Sequence, residues 1–167
     1  MGMTESNRYR AGIIGLGFIG AADQVSGDAL GQRVEDLGGT HLGALSNHPR
    51  VDLVAGSSRD PGRRERFAQR TQAAVFDDWG RMLEQQQLDI VSVATYADVH
   101  AEIVMGCVDA GVRAIYCEKP IAQTVNDAAR MLEVCGWNKT RTAKLLGIDR
   151  KTLYAKLKLY GLEQSGT

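Results

Sequence analysis

The sequence predicts an α/β fold, in which a doubly wound parallel sheet of about five strands is followed by a small all-α helix-turn-helix. Short apolar segments alternate with amphipathic ones from residue 10 onward, a glycine-rich turn follows the first of them, and the charge balance reverses near residue 134. The first 133 residues carry 18 acidic and 13 basic side chains, whereas the last 34 carry 2 and 7. We therefore expect one domain over residues 1–133 and a basic module over residues 134–167.

The first strand and the turn after it carry a phosphate-binding motif. Residues 11–14 form a short apolar strand, and Gly15-Leu16-Gly17-Phe18-Ile19-Gly20 follows directly. In a Rossmann-like GxGxxG turn the first glycine permits the tight bend, the second lets the backbone approach a pyrophosphate, and the third lets helix pack on strand. The same pattern also occurs in glycine-rich turns without a ligand, so the rest of the chain has to support it.

Strands and helices continue to alternate after this turn. The second and third strands are predicted at residues 51–55 and 73–76. Between them Asp60 is placed to cap a helix whose first residue is Pro61, and Phe67 should face inward from that helix. The spacing is that of βαβ units in a parallel sheet.

The other half of the sheet follows the same rule. Asp78 is placed to cap a short amphipathic helix, and the β-branched segment 90–95 reads as a buried fourth strand. The next helix should end at Gly111, before a fifth strand at residues 114–117. A ligand site is expected where the strands end, because that edge collects the loops of a doubly wound sheet.

One stretch interrupts the pattern in the first crossover. Residues 23–39 are polar and contain Gly27, Gly31, Gly38 and Gly39, and a short helix is predicted after them at residues 41–46. We interpret residues 23–39 as an insertion of unknown role.

The end of the second strand bears on the choice of cofactor. An acidic side chain there would accept hydrogen bonds from a ribose diol and repel a 2′-phosphate, whereas this chain has Ser57-Ser58-Arg59. Positive charge at this place favours NADP over NAD. Asp60 supports the alternative, NAD, since its carboxylate could reach the ribose diol, although helix capping explains an aspartate at this position as well.

Several motifs together resemble one enzyme family. Cys117-Glu118-Lys119-Pro120 ends the fifth strand, Thr95 ends the fourth, and His100-Ala101-Glu102 opens the next helix. With the glycine turn, they resemble the N-terminal domain of the Gfo/Idh/MocA oxidoreductases over about residues 10–133. The resemblance implies NAD or NADP as cofactor and hydride transfer on sugars or polyols, with Lys119 near the nicotinamide and the substrate as the candidate catalytic residue.

The motifs and the resemblance define one candidate cofactor site. Its members are Gly15, Gly17, Phe18, Ile19, Gly20, Ser58, Arg59, Thr95, His100, Glu118 and Lys119.

The chain departs from this family after Pro120. The family continues with a last sheet strand and then a substrate domain that supplies a general acid/base histidine, whereas only 47 residues follow Pro120 here and none is histidine. His41, His48 and His100 all precede it, and surface or supporting roles are expected for them. Without an acid/base group for the alcohol proton, dehydrogenase activity is not expected to survive.

The basic module has the pattern of a helix-turn-helix. Thr124 to Asp127 form a capping box for a helix over residues 124–135, which both modules would share. Two further helices are predicted within residues 138–161, joined at Gly147-Ile148, with Asp149 as the second N-cap. A pair of basic helices that is exposed to solvent and binds no DNA would have a similar sequence pattern.

Residues 128–162 resemble the Fis-type helix-turn-helix of nucleoid proteins and NtrC-like activators. The resemblance implies double-stranded DNA as a partner and places base-reading or phosphate-binding side chains at Thr140, Arg141, Arg150, Lys151, Thr152, Tyr154, Lys156 and Lys158. Such modules act as two-fold dimers through the helix before the turn. A homodimer is possible, but here the nucleotide domain also needs the apolar face of that helix.

Composition excludes several other classes. No apolar run approaches the roughly 18 residues of a membrane helix, and the N-terminus lacks a secretory signal, so a cytoplasmic location is expected. Cys107, Cys117 and Cys135 have no CxxC spacing, which favours buried thiols over disulfides and predicts no metal site.

Three hypotheses follow from the sequence. The first is a nucleotide-binding protein with a sequence-specific DNA-binding module, a combination that would suit a redox-sensing transcriptional regulator. The second is a truncated sugar or polyol oxidoreductase without its substrate domain. The third is an accidental or engineered join with neither activity.

Overall fold

A computed structural model describes residues 8–24 and 39–134 of the chain. The elements in chain order are β1 Tyr9–Ile14, α1 Phe18–Ala21, α2 His41–Ser46, β2 Val51–Ser57, α3 Pro61–Thr71, β3 Ala74–Phe76, α4 Trp79–Gln85, β4 Ile90–Val93, α5 His100–Asp109, β5 Ala114–Cys117 and α6 Val125–Val134. The predicted helix-turn-helix at residues 138–161 lies outside the described residues, and so do residues 25–38 of the insertion.

The five strands form one parallel sheet with the order β3-β2-β1-β4-β5. The chain first builds outward from β1 through β2 and β3, and then returns to the other side of β1 for β4 and β5. This confirms the predicted doubly wound α/β fold. The strand order reverses between β1 and β4, which is the position where ligands bind in folds of this type.

Each face of the sheet buries its own apolar cluster, because successive side chains of a strand point to opposite faces. Ile14 packs with Val91 and Val93 of β4 under α4, α5 and α6. Its neighbour Ile13 packs on the other face with Leu42 and Phe67, under α1, α2 and α3. These two clusters hold the strand ends in fixed positions and thereby the loops that follow them.

The predicted helix caps are present in the structure. The Asp60 carboxylate accepts a hydrogen bond from Arg63 N at 2.8 Å, and Asp78 accepts one from Arg81 N at 2.9 Å. At α6, Thr124 Oγ1 accepts from Asp127 N at 3.1 Å. Short polar side chains directly before an apolar periodic segment were therefore reliable signals for helix starts.

The element bounds differ from the predicted ones in two places that concern the site. β2 extends to Ser57, two residues further than expected, whereas β4 ends at Val93 and leaves Thr95 in the loop. On α6, Met131 is 5% exposed, whereas the sequence predicts an apolar face made of Val125, Ala128, Ala129 and Leu132. Within the described part of the chain, no helix is long and apolar enough to cross a membrane.

Candidate functional site

Four loops meet at the carboxyl edge of the sheet and bring the predicted cofactor residues together. The glycine turn follows β1, Ser58-Arg59 follows β2, Thr95 follows β4 and Glu118-Lys119 follows β5. Because all strands are parallel, these segments lie at the same edge, in the order in which their strands occur in the sheet. The edge therefore offers a path from β2 across β1 to β4 and β5.

The glycine turn has a geometry that side chains would disrupt. Gly15 has φ +97°, in the left-handed region that favours glycine, and its N–H donates to Ser57 O at 2.9 Å. A Cβ on Gly15 would meet the Ala94 carbonyl oxygen, and a Cβ on Gly20 would meet the Gly15 carbonyl oxygen. The first and third glycines of the motif thus bring the turn, the loop after β4 and α1 into close contact.

The N-terminus of α1 suits an anionic group. Gly17 is the N-cap and makes no side-chain capping bond, so no side chain of its own occupies the first N–H groups of the helix. Phe18 is half-buried and Ile19 is 45% exposed beside this end. α1 has only four residues, so its dipole is small, and backbone donors rather than the dipole would hold a phosphate here.

The loop after β2 is shaped by an arginine that the sequence analysis missed. Arg64 of α3 donates from Nη1 to Ser58 O at 2.6 Å and to Arg59 O at 2.9 Å. Asp60 is engaged in capping α3, and its own N–H donates to Ser58 Oγ at 3.2 Å. Arg59 is exposed at the edge of the sheet. The capping role of Asp60 is thereby confirmed.

His100 lies behind the site and links two of its loops. The side chain is 1% exposed, and its ring nitrogens contact two main-chain oxygens, Nδ1 to Pro120 O at 2.9 Å and Nε2 to Thr95 O at 3.0 Å. A direct bond from His100 to a cofactor would have to replace one of these contacts. The structure therefore gives His100 a role in joining the loops after β4 and β5.

Glu118 belongs to a polar network on the opposite face of the sheet. His41 Nε2 lies 3.0 Å from Glu118 Oε1, and His41 Nδ1 lies 2.6 Å from Ser92 Oγ. Burial acts to raise the pKa of Glu118, but the hydrogen bonds from His41 and from the Lys119 N–H, together with their charges, outweigh it and leave the pKa lowered. Glu118 is therefore an ionised acceptor at neutral pH.

This network could not be found in the sequence. Ser92 alternates with apolar Val91 and Val93 in a strand that reads as fully buried, and His41 is 51 residues away from it. Their contact depends on the order of strands in the sheet, which no local pattern encodes. Lys119 itself is exposed, and its N–H donates to Glu118 Oε2 at 3.1 Å.

The predicted DNA-binding residues all lie outside the described residues. Among residues 8–24 and 39–134, no group of three or more His, Cys, Asp and Glu side chains is arranged to hold a metal ion.

Family models match both parts of the chain. The model of an oxidoreductase family with an NAD-binding Rossmann fold, Gfo/Idh/MocA, matches residues 9–143. The chain belongs to this family. A second model, of the Fis family of bacterial regulatory proteins, matches residues 129–160. The two matches overlap at residues 129–143, within and after α6.

Curated Gfo/Idh/MocA relatives act on sugars and polyols, as their names state. Inositol 2-dehydrogenase of Salmonella typhimurium is 25% identical over 157 residues, which are 94% of this chain and 42% of that protein. D-apiose dehydrogenase of Paraburkholderia graminis is 31% identical over 136 residues, 79% of this chain and 30% of that protein. The chain thus spans between about a quarter and two fifths of the length of its curated relatives.

Solved structures of the family share the fold. The WlbA dehydrogenase from Bordetella pertussis, in complex with NADH and UDP-GlcNAcA, is 25% identical with a TM-score of 0.62, over 78% of this chain and 34% of that one. KijD10, a 3-ketoreductase from Actinomadura kijaniata in complex with NADP and TDP-benzene, is 26% identical with a TM-score of 0.59, over 80% and 35%. Members of this fold are thus solved with either dinucleotide.

Proposed function

We propose that the chain binds a nicotinamide dinucleotide along the carboxyl edge of its sheet and binds double-stranded DNA through residues 134–167. The observation that carries the first part is the convergence of the glycine turn, Ser58-Arg59, Thr95 and Glu118-Lys119 at this edge. We propose that both ligands are bound in the cytoplasm, where dinucleotides and duplex DNA are both present.

The orientation of the dinucleotide follows from the strand order. The pyrophosphate would lie against the backbone of the glycine turn and the start of α1, at the switch point between β1 and β4. The adenosine ribose would then lie at Ser58 and Arg59, and the nicotinamide at Thr95 and Lys119. When bound, the dinucleotide supplies a nicotinamide ring that accepts or donates a hydride. Lys119 would contact the ring or a substrate beside it.

NADP is the proposed dinucleotide. Asp60 is occupied in capping α3, which leaves the exposed guanidinium of Arg59 as the charged group closest in sequence to the strand end. Arg64 fixes the main chain of Ser58 and Arg59, so that the loop is already shaped before a ligand arrives. Positive charge in a pre-shaped loop favours the 2′-phosphate of NADP over the bare ribose of NAD.

Parallel titrations with NADPH and NADH test this choice. We expect Arg59→Ala to weaken NADPH binding about tenfold, the loss of one charge-assisted contact, and to leave NADH binding nearly unchanged. Arg113→Ala is the matched control, because Arg113 is an exposed arginine just before β5, at the opposite edge of the sheet. Equal weakening of both dinucleotides by Arg59→Ala would contradict the proposed 2′-phosphate contact.

DNA binding is proposed from the match to the Fis family at residues 129–160 and from the surplus of basic residues after residue 133. Thr140, Arg141, Arg150, Lys151, Thr152, Tyr154, Lys156 and Lys158 would contact the duplex. Affinity for duplex DNA should fall steeply with salt and be lost when Arg150→Ala and Lys151→Ala are combined. Arg81→Ala with Arg113→Ala removes the same charge from the nucleotide domain and should have little effect.

Oxidoreductase activity on sugars or polyols is the alternative function. It is favoured by the names of the relatives and by the position of Lys119 after β5. The test is reduction of NADP or NAD by a panel of polyols, measured by nicotinamide absorbance. Turnover that disappears in Lys119→Ala would establish it, and its absence with every polyol would leave the binding function.

A further inference from the structure

Two buried histidines hold the segment of residues 118–120 from opposite faces of the sheet. His41 reaches it from α2 through Glu118, and His100 reaches it from α5 through the Pro120 carbonyl oxygen. The two side chains are 7% and 1% exposed. Burying polar rings is unfavourable unless they are hydrogen-bonded. His41 has partners at 2.6 and 3.0 Å, and the His100 nitrogens lie 2.9 and 3.0 Å from two main-chain oxygens, at least one of which accepts a hydrogen bond from the ring.

The direction of the hydrogen bond between His41 and Glu118 can be assigned. Glu118 is ionised and can only accept, so His41 Nε2 carries a proton and donates to it. Nδ1 contacts the hydroxyl of Ser92, which can donate to a bare ring nitrogen or accept from a protonated one. Tyr116 fixes the ring further through an edge contact, with centroids 5.0 Å apart and planes at 75°.

His41 is held in place by its own helix. α2 begins at His41, and the Thr40 hydroxyl caps it by accepting from Gly43 N at 3.1 Å. Leu42 anchors the helix in the apolar cluster with Ile13 and Phe67. α2 therefore holds the His41 imidazole in a fixed position relative to Glu118.

The second carboxylate oxygen of Glu118 links the main chain of Lys119 to His41. Glu118 Oε2 accepts from the Lys119 N–H at 3.1 Å while Oε1 is held by His41. A carboxylate with both oxygens engaged has one orientation, and it fixes the main chain from which the Lys119 side chain leaves. His100 fixes the other end of the segment and ties it to the Thr95 loop.

We propose that His41 is a positioning residue that acts through Glu118 to hold Lys119 at the nicotinamide end of the dinucleotide site. This inference rests on the proposed dinucleotide function. Ser92 assists by holding the ring at Nδ1. His41 itself does not contact the dinucleotide.

A pair of substitutions separates the two nitrogens of His41. The amide nitrogen of glutamine can take the place of Nε2, so His41→Gln preserves a donor to Glu118. The shorter asparagine reaches only the position of Nδ1, so His41→Asn keeps a partner for Ser92 and loses the bond to Glu118. Both replacements are uncharged amides, and a difference between them reports on the Glu118 contact.

The binding experiment compares NADPH with 2′-phospho-ADP-ribose, which lacks the nicotinamide. We expect His41→Asn to weaken NADPH binding about tenfold, as for loss of a hydrogen bond to a charged group, and to leave 2′-phospho-ADP-ribose binding unchanged. His41→Gln should retain NADPH affinity within about threefold. Equal behaviour of the two variants, or equal loss for both ligands, would overturn the proposal.

A ligand-free measurement separates this inference from the proposed function. In the heteronuclear NMR spectrum of the free protein, the Lys119 amide resonance should shift in His41→Asn and stay close to its native position in His41→Gln. Ser92→Ala, a small change at a buried hydroxyl, should shift it in the same direction as His41→Asn and serves if that variant fails to fold. A Lys119 amide resonance that stays unchanged in all three variants would refute the positioning role. If the native protein binds neither NADPH nor 2′-phospho-ADP-ribose, only the dinucleotide function is refuted.

Discussion

At the scale of single residues, the roles of the glycines in the turn could be predicted from the sequence, whereas the contacts of the buried histidines could not. Gly15 and Gly20 were identified from their spacing, and the structure supplies the contacts that exclude a side chain at each. His41 was expected in a surface or supporting role and His100 also as a member of the cofactor site, and both side chains are buried. Their partners, Ser92 and the carbonyl oxygens of Thr95 and Pro120, become visible only in three dimensions.

Replacing Gly20 by alanine should destabilise the turn. The added Cβ would meet the Gly15 carbonyl oxygen, which is backbone and cannot move aside, so we expect a loss of about 1–3 kcal/mol in the free energy of unfolding. Gly39→Ala is the control, because a Cβ there meets nothing within 4 Å and should change stability by less than about 0.5 kcal/mol. Urea denaturation measures both, and equal stabilities would contradict the packing argument.

The two described cysteines should be inert in the folded protein. Burial, with a smaller contribution from the neighbouring Cys117, raises the pKa of Cys107 to about 12, and burial with the charge of Glu118 raises the pKa of Cys117 to about 12. Hardly any thiolate forms near neutral pH, so iodoacetamide should modify neither residue before unfolding. Peptide mapping by mass spectrometry with and without denaturant checks this, and native-state labelling of either cysteine would be inconsistent with it.

At the scale of elements, helix starts were predicted better than strand ends. A cap is a local feature, one side chain bonded to a backbone N–H three residues ahead, so its signal lies in adjacent residues. The end of a strand depends on the partner strand, and β2 and β4 therefore differ from their predicted ends by two residues. α6 shows the same limit, because the burial of Met131 follows from its packing in the cluster under α4 and α5.

The cap of α4 offers a matched pair of neighbouring carboxylates. Asp78→Ala removes the bond to Arg81 N and should lower the free energy of unfolding by about 1 kcal/mol. Asp77→Ala removes only an exposed ion pair with Arg81 at 3.6 Å, which should be worth less than about 0.5 kcal/mol. Thermal denaturation of the two variants distinguishes them, and an equal effect would show that the cap does not stabilise α4.

At the scale of the whole molecule, an ion pair with a buried carboxylate joins the first crossover to the second. Asp23, placed by sequence in a polar insertion, is 2% exposed. It accepts two hydrogen bonds of 2.8 Å from Arg66 of α3, and Arg63 lies at 3.5 Å. The end of α1 is thereby joined to α3, next to the loop that carries Ser58 and Arg59.

Loss of the Asp23–Arg66 contact should lower the free energy of unfolding more than loss of a surface ion pair. Asp23→Ala removes a bidentate contact made by a buried carboxylate, whereas Asp52→Ala removes a contact of similar length, 2.8 Å to Arg8, between side chains that are 47% and 46% exposed. We expect a clearly lower urea midpoint for Asp23→Ala and little change for Asp52→Ala, because exposed pairs are screened by solvent. Similar midpoints would show that the tie between α1 and α3 contributes little.

The sequence by itself determined the doubly wound sheet, the helix starts, the glycine turn and the family, because each depends on periodicity, capping or a motif of adjacent residues. It also shows a surplus of acidic residues up to residue 133 and of basic residues after it. Only the tertiary structure decided which distant side chains support the site: Arg64 under Ser58 and Arg59, Asp23 against Arg66, and His41 between Ser92 and Glu118. The physical reason is that these contacts join residues brought together by the order of strands in the sheet and by the packing of helices on its faces, which no local pattern encodes.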